Sequence, residues 1–447
     1  MVDQIAIVIS ILTFLGIGFW FRSKALGGTI VEFTTDRDRL TWFPIAAGIS
    51  MTFAGGAAIL NMASLGYTFG WYTLIDPVSL LLGILVVIFF IDAYRTDQGA
   101  TIADFLSGTS KRLSYLIGLI TSIVFILIVA AQFVALSKLL LPFFPQVPQW
   151  AMIVILSTGI FSYVFFGGFT SVTKTDILQF IFIALFLVTP TVLFVFFKAG
   201  TVSVAEHQAA QFETMPVNLF ILLGMPLLFT PISQDINIRA KSARNKKQAV
   251  SGLLIGGLIY SSIVIASSFI GVYLKKHGVE LADPETAYTT FFQTHFEAFG
   301  ILAVLAALAA IVSSTDSYAL NAISSVSKDL LGEKFGALSM GKKSSIHISG
   351  IVVFTLALAI ALFFQQILAL ILLSLLLYIS ILMPIALARR FNVPDGFVFW
   401  SSIAAIVGII GIEITKIDTP PKLLIYPCIG ISLILISLLI SKLRASA

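Results

Sequence analysis

Residues 42–66 read WFPIAAGISMTFAGGAAILNMASLG, a stretch long enough to cross a membrane as a helix but with two adjacent glycines at its middle. Glycine lets the backbone unwind at little cost, and polar residues such as Ser50 and Thr52 stand close by. In lipid, backbone groups freed by an unwound turn are tolerated only where they are buried in protein or face a water-filled cavity. The stretch therefore predicts a membrane helix that is broken at its glycines.

A second stretch of similar length, residues 216–238, reads PVNLFILLGMPLLFTPISQDINI. Proline removes a backbone hydrogen-bond donor and clashes with the preceding turn, so Pro226 and Pro231 predict a second broken helix. Interrupted spans at equivalent places in two halves of a membrane protein are the best sequence indication of a substrate and ion site. The alternative interpretation is a pair of kinked helices that pack closely at glycine.

The composition of the whole chain is that of a membrane protein. Of its 447 residues, 58% are hydrophobic and 11% are charged, whereas a soluble domain has about 25% charged residues. This composition excludes a soluble enzyme, a disordered chain and a nucleic-acid binder. The single cysteine, Cys428, excludes an internal disulfide or a site of several thiolates, and the four histidines lie too far apart for a metal cluster.

Continuous apolar runs predict an all-helical polytopic membrane protein with about thirteen spans. The spans lie at about residues 3–21, 42–66, 71–93, 113–137, 149–167, 174–197, 216–238, 249–274, 298–324, 346–365, 368–388, 397–415 and 423–441. The two broken spans are five spans apart, and each opens a block of five helices. We therefore expect one membrane domain over residues 1–447, consisting of a leading helix (3–21), two blocks (42–197 and 216–388) and two trailing helices (397–441).

The basic residues predict the orientation of these spans. Cytoplasmic loops of membrane proteins carry an excess of lysine and arginine. With the N-terminus outside, most of the 27 Lys and Arg residues fall in interior loops, and Arg239 and Lys241 are among them. We therefore expect an integral protein of the plasma (inner) membrane whose N-terminus is outside and whose C-terminus is cytoplasmic.

Acidic residues at membrane depth are candidate functional residues, because charge inside a span is costly. Asp76 and Asp316 lie deep in the third and ninth spans, whereas Asp92 and Asp235 lie near an interface, where we expect them to be solvated. Asp176 begins the sixth span, so it either caps that helix or has a functional role.

Hydroxyl groups are concentrated in the ninth span, where residues 310–317 read AIVSSTDS. In an apolar helix, such hydroxyls hold helices together through interhelical hydrogen bonds. Alternatively, they coordinate a sodium ion, because a hard cation prefers oxygen ligands. A cage of neutral oxygens would hold a monovalent ion weakly and reversibly.

Two stretches resemble signatures of a known family, the sodium:solute symporters. They are residues 167–179, GGFTSVTKTDILQ, and residues 310–317; the segment 46–50 and Arg239 fit as well. The resemblance extends from the leading helix to about residue 390. It implies a five-plus-five inverted repeat like that of the leucine transporter, and a sodium-coupled symporter rather than an enzyme.

The resemblance also implies where sodium binds. The site would consist of three backbone oxygens and two hydroxyls, from Ala46, Ile49, Ala310, Ser313 and Ser314. In some members of the family, an acid that matches Asp176 and a serine that matches Ser317 form a second sodium site.

The residues expected to contact the substrate match the family's pattern less closely than the sodium ligands do. Sugar carriers of the family have an acid and a serine in the second core helix, where this chain has Asp76 and Ser79. The other candidate contacts are polar or aromatic residues on the two broken helices and the fourth span, namely Phe53, Gln132, Thr230, Ser233 and Gln234. These residues predict a small polar organic solute without naming it.

Together these observations predict sodium-coupled symport of that solute across the lipid bilayer by alternating access, by a monomer or weak oligomer. A sensor that binds the solute without transporting it is one alternative on the same fold. A channel or uniporter whose flux is independent of sodium is another. An intramembrane enzyme is not expected, because no histidine lies at membrane depth to activate Ser313 or Ser314.

Overall fold

The computed structural model describes residues 2–20, 34–97, 99–197, 211–296, 300–332, 342–415 and 422–446, and this part of the chain is helical. Its α-helices are α1 Val2–Trp20, α2 Trp42–Phe53, α3 Met62–Phe69, α4 Ile75–Phe89, α5 Ile91–Thr96, α6 Ile102–Ser107, α7 Lys111–Leu140, α8 Gln149–Ile183, α9 Thr189–Phe197, α10 Val217–Gly224, α11 Pro226–Phe229, α12 Gln234–Ser242, α13 Lys246–Lys276, α14 Ala287–Phe296, α15 Gly300–Ser325, α16 Lys342–Phe363, α17 Ile367–Arg390, α18 Asp395–Thr415 and α19 Lys422–Ser446. Short π-helical and 3-10 segments join several of them, and one isolated β-bridge pairs Leu40 with Ala243.

Eight helical segments of the described residues are long and apolar enough to cross a membrane. The bent pair Val217–Ile232 and Gln234–Ser242 makes a ninth if it is counted as one span. Shorter apolar helices are Gln4–Thr13, Trp42–Phe53, Gln149–Ser162 and Ile425–Leu439. The all-helical class agrees with the sequence, while the count of thirteen spans stays a prediction.

The first broken helix is interrupted at the predicted glycines. Helix α2 ends at Phe53, Ala54 and Gly55 are non-helical, and a π-helical segment, Ala57–Asn61, leads into α3. Every residue of α2 from Ile45 to Thr52 is buried. The interruption therefore lies inside the protein, where freed backbone groups are tolerated.

The second broken helix bends by 44° at Ser233, between the 3-10 turn Thr230–Ile232 and α12. Ser233 has an extended backbone, with a ψ of 128°, so the helical hydrogen-bond ladder stops there. Pro226 begins α11, and Pro231 lies in the 3-10 turn just before the bend. The prolines thus stand next to the interruption, as their lost donors predict.

Helix α12 corrects the predicted positions of three charged residues. Arg239 and Lys241 were expected in an interior loop and Asp235 at a solvated interface, but all three are buried. The helix continues to Ser242, and exposed basic residues begin only at Arg244. The predicted span ended at residue 238, so hydropathy alone places the end of the helix too early.

Helix α8 consists of two helical parts that meet at a kink, and the kink lies between two spans that were predicted separately. It runs from Gln149 to Ile183 with one non-helical residue, Gly168, whose φ is 61° and ψ is −173°. Glycine reaches this backbone region freely, whereas other residues are strained there. Asp176 lies about two turns beyond the kink, so it stands inside the helix and does not cap its start.

Three helices converge where the sequence motifs lie. Helix α2 packs against α8, α13 and α15, while α15 packs most extensively against α7 and α8. Helix α15 is buried along its length from Ala303 to Ser325. The first broken helix and both family-like motifs are thereby brought together in the protein interior.

Candidate functional site

Two serines of α15 connect the three converging helices. Ser313 Oγ donates a 2.5 Å hydrogen bond to Asp176 Oδ1 on α8. Ser314 Oγ donates a 2.8 Å bond to the backbone oxygen of Met51, in the last turn of α2 before the break. Both serines are fully buried. The two hydroxyls therefore form an oxygen-rich junction at the break in the first helix.

The five residues predicted to hold sodium lie on two of these helices, and the Ala46 backbone oxygen accepts a 2.9 Å hydrogen bond from Ser50 Oγ. Ala46, Ile49, Ala310, Ser313 and Ser314 are each fully buried, on α2 and α15. No group of three or more His, Cys, Asp or Glu residues in the described part of the chain is arranged to hold a metal ion. The oxygens bonded to Ser313 and Ser314 are the Asp176 carboxylate and the Met51 backbone oxygen, and oxygen groups of these kinds suit a hard cation.

A buried ion triad lies next to the junction. Arg239 Nη2 is 3.1 Å from Asp176 Oδ2, and Arg239 Nε is 2.9 Å from Asp235 Oδ2. The arginine side chain is fully buried, and its Cζ lies 5.7 Å from the centre of the Phe169 ring. Buried charges are costly unless they are paired and hydrogen-bonded. Arg239 is paired through Nε and Nη2, whereas its Nη1 has no hydrogen-bond partner among the described residues. Sequence reasoning missed the triad, although the spacing of four residues between Asp235 and Arg239 was a usable signal.

The same arginine also reaches the residues predicted for a second sodium ion. Arg239 Nη2 donates to Ser317 Oγ at 3.2 Å and to Thr52 Oγ1 at 3.0 Å. Thr52 in turn donates to Ser317 Oγ at 3.0 Å. The structure therefore brings Asp176 and Ser317 to one point, and a guanidinium nitrogen lies between them.

A cavity of about 110 Å³ is lined in part by the first broken helix. Three of the predicted substrate residues, Phe53, Asp76 and Gln132, line it. Most of the remaining lining is apolar or aromatic, from α3, α7, α10, α11, α13, α15 and α17. Thr52 also lines the cavity, so one residue of α2 contacts both the cavity and the ion triad.

Asp76 is the acidic residue in the lining of this cavity. It lies in the first turn of α4, it is 7% exposed, and its Oδ1 accepts a 2.5 Å hydrogen bond from Tyr260 Oη. A carboxylate can accept about four hydrogen bonds, so acceptor capacity is left for a solute. Tyr260 was not predicted, because nothing in the sequence relates it to a residue on a distant helix.

Aromatic rings surround the acid. The centre of the Phe53 ring lies 6.1 Å from that of the Tyr260 ring and 6.3 Å from that of the Phe229 ring, and both pairs are arranged edge to face. Gln132 Oε1 accepts the backbone N–H of Gly56 at 2.9 Å, which satisfies one donor freed by the helix break. The cavity therefore offers one carboxylate among apolar and aromatic walls.

The other four predicted substrate residues lie outside the lining of the cavity. Ser79 Oγ donates to the backbone oxygen of Leu223 at 2.8 Å, and Thr230 Oγ1 donates to that of Pro226 at 2.6 Å. Gln234 is held by α15: its Nε2 donates to the backbone oxygen of Asn321, and its Oε1 accepts from Ser325 Oγ, each at 3.0 Å. Ser233 is buried at the bend of the second broken helix.

The sequence is similar to that of known membrane transporters. The model of the sodium:solute symporter family matches residues 33–388. Sodium/proline symporter 2 of Staphylococcus saprophyticus subsp. saprophyticus is 24% identical over 319 residues, which are 66% of this chain and 60% of that protein. The chain thus spans about 60% of the length of that relative.

Solved structures share the fold. A Na+-coupled sialic acid symporter in a substrate-bound outward-open state has a TM-score of 0.76 at 15% identity, covering 98% of this chain and 96% of its own. Mhp1, a nucleobase-cation-symport-1 family transporter in a closed conformation, has a TM-score of 0.61 at 15% identity, covering 92% and 94%. The family match includes both motifs and both broken helices. The chain is an integral membrane protein that belongs to the sodium:solute symporter family, a family of transporters rather than enzymes.

Proposed function

We propose that this protein couples the entry of sodium to the transport of a small polar organic solute by alternating access. The observation that carries the proposal is the position of α2. Its Ala46 and Ile49, two proposed sodium ligands, are buried, and its Thr52 and Phe53 line the cavity. One broken helix would therefore contribute to both the ion site and the solute site, which is what coupling requires.

Sodium would be held by five oxygens, those of Ala46, Ile49 and Ala310 and the hydroxyls of Ser313 and Ser314. Their burial at the contact of α2 with α15 supports this assignment. Asp176 accepts the Ser313 hydrogen bond and so orients that hydroxyl. Without a carboxylate among the direct ligands, the ion would be bound weakly enough to be released on the cytoplasmic side.

The ion and the solute would cooperate through the end of α2. Sodium would hold the last turns of α2 against α15, and those turns carry Thr52 and Phe53 into the cavity wall. A ligand favours whichever conformation it binds more tightly, so each would stabilise the arrangement that suits the other. The sodium gradient would drive the cycle, and the membrane potential adds about 2.3 kcal/mol per charge per 100 mV.

The solute would carry a hydroxyl or an amine that donates to Asp76. The described lining of the cavity contains a carboxylate and two amide side chains but no lysine or arginine. Apolar and aromatic walls suit the carbon skeleton of a small molecule, and the carboxylate suits a donor or a positive charge. The four predicted substrate residues outside the lining would instead have a structural role in the helices around the cavity. They are Ser79, Thr230, Ser233 and Gln234.

We also propose that the protein has thirteen spans, with its N-terminus outside and its C-terminus in the cytoplasm. It would lie in the plasma (inner) membrane as a monomer or weak oligomer. The eight long spans, the bent pair and the four shorter apolar helices together make thirteen segments, which supports this count. A leading helix (3–21), inverted repeats over 42–197 and 216–388 and two trailing helices (397–441) would complete the domain.

A screen of small amines and polyols for thermal stabilisation, in sodium and in potassium, tests the function. Ligands stabilise a protein by mass action, so the transported solute should raise the melting temperature more in sodium than in potassium. Uptake into proteoliposomes should then require a sodium gradient. Equal uptake in potassium would indicate a uniporter, and sodium-dependent binding without uptake would indicate a sensor.

A further inference from the structure

We propose that the guanidinium of Arg239 takes the place of a second cation, so that the protein binds one sodium ion per cycle. The inference rests on the proposed function, because it concerns the ion stoichiometry of the same site. It depends on three features of the buried triad: the oxygens around Nη2, the space beside Gly48 and the sum of the charges.

The first feature is a ring of oxygens around a single nitrogen. Arg239 Nη2 lies 3.0 Å from Thr52 Oγ1, 3.1 Å from Asp176 Oδ2 and 3.2 Å from Ser317 Oγ. These oxygens come from α2, α8 and α15, and they are the groups a cation at this point would use. A hard cation needs several oxygens within roughly 2.6 Å, a condition that cannot be met while the nitrogen occupies their centre. The guanidinium keeps its charge in proteins, so it serves as a permanent internal cation.

The second feature is the backbone of α2 beside the guanidinium. A Cβ atom built on Gly48 would lie 1.7 Å from Arg239 Nη1 and 2.2 Å from Cζ. Any larger residue at position 48 would therefore push the guanidinium out of its position. Gly48 also lies between Ala46 and Ile49, two proposed sodium ligands, so the arginine packs against the turn that holds the ion.

The third feature is the charge of the triad. Asp176 and Asp235 contribute two negative charges and Arg239 one positive charge, which leaves one negative charge in the buried triad. One sodium ion beside Ser313 neutralises it, because Asp176 accepts from Ser313 through one oxygen and from Arg239 through the other. With the first ion bound, a second sodium ion would give the three residues of the triad and their ions a net positive charge, which is costly at membrane depth.

The test is the number of sodium ions bound by the purified full chain, counted with radiolabelled sodium at saturation. The wild-type protein should bind one ion per molecule, with a Hill coefficient of one. Two ions per molecule would overturn the inference while leaving sodium coupling intact. No sodium binding at all would instead overturn the proposed function, so the two failures are distinguishable.

Two variants test the role of the guanidinium itself. Arg239→Ala vacates the ring of oxygens and should allow a second sodium ion to bind, and Gly48→Ala should do the same by displacing the guanidinium. Arg244→Ala, an exposed arginine, and Gly224→Ala, whose added Cβ meets nothing within 4 Å, are the matched controls and should bind one ion. A folded Arg239→Ala protein that still binds a single ion would overturn the inference. If that variant does not fold, the same criterion applies to Gly48→Ala.

Discussion

Tyr260 on α13 donates a 2.5 Å hydrogen bond to Asp76 on α4, and the two side chains face the same cavity although 184 residues separate them in sequence. The bond orients the carboxyl group, because hydrogen bonds are directional. Asp76 thus has a partner within the protein before any solute arrives. Its remaining acceptor capacity defines what the cavity can recognise.

Replacing Asp76 with Asn should weaken solute binding by about 1.5–3 kcal/mol, the range for a hydrogen bond to a charged group. Asparagine keeps the shape and can still accept from Tyr260, but it removes the charge and turns part of the acceptor into a donor. Paired titrations of solute and sodium on wild type and Asp76→Asn provide the measurement. Sodium binding should change much less than solute binding. Loss of sodium binding with an unchanged solute affinity would assign Asp76 to the ion site instead.

Replacing Ser313 and Ser314 together with Ala removes two of the five proposed sodium ligands. The sodium concentration needed for half-maximal stabilisation should rise at least tenfold, which corresponds to about 1.4 kcal/mol. Ser324→Ala is the matched control, because Ser324 is equally buried on α15 but donates only to Leu320 of its own helix. A double variant with the sodium response of the control would refute the site.

The proposed orientation predicts which cysteines react from outside the cell. Lys247 and Glu280 are both exposed; Lys247 lies in the first turn of α13, and Glu280 lies four residues beyond its last residue. In a Cys428→Ser background, Glu280→Cys should react with a membrane-impermeant thiol reagent in intact cells, and Lys247→Cys should react only after permeabilisation. The background substitution is needed because Cys428 is exposed. The reverse labelling pattern would invert the topology.

Gly168→Ala should destabilise the protein by about 1–3 kcal/mol, because a φ of 61° with a ψ of −173° is strained for any residue with a Cβ. The measurement is the unfolding midpoint in detergent, compared with wild type. Gly224→Ala is the control, since it ends α10, has no positive φ and leaves its Cβ without a neighbour within 4 Å. Equal midpoints for the two variants would contradict a conformational role for Gly168.

Several parts of the site were predictable because their signals are local. The adjacent glycines of residues 42–66 predicted the break after Phe53, and the prolines of residues 216–238 predicted the bend next to Ser233. Backbone conformation at such positions depends on the residue itself and its neighbours, so a single stretch of sequence contains the information. The hydroxyl-rich run of residues 310–317 was recognised for the same reason.

Local signals were insufficient for the contacts between helices. Arg239 was expected in a loop, yet it pairs with Asp176, 63 residues away, because α12 folds back into the interior after the bend. Four predicted substrate residues lie outside the lining of the cavity: Ser79 and Gln234 bond to neighbouring helices, Thr230 bonds to Pro226 of its own helical segment, and Ser233 is buried at the bend. Hydropathy measures how apolar a segment is and contains no information about which segment lies beside it.

The sequence by itself determined the all-helical membrane class, the two broken helices and the family, because each depends on composition or on short continuous motifs. Only the tertiary structure decided that a guanidinium stands between Asp176 and Ser317 and that Tyr260 holds Asp76. Those contacts join residues from separate helices. Their distances are set by how the helices pack, and packing depends on the shapes of all the side chains between them.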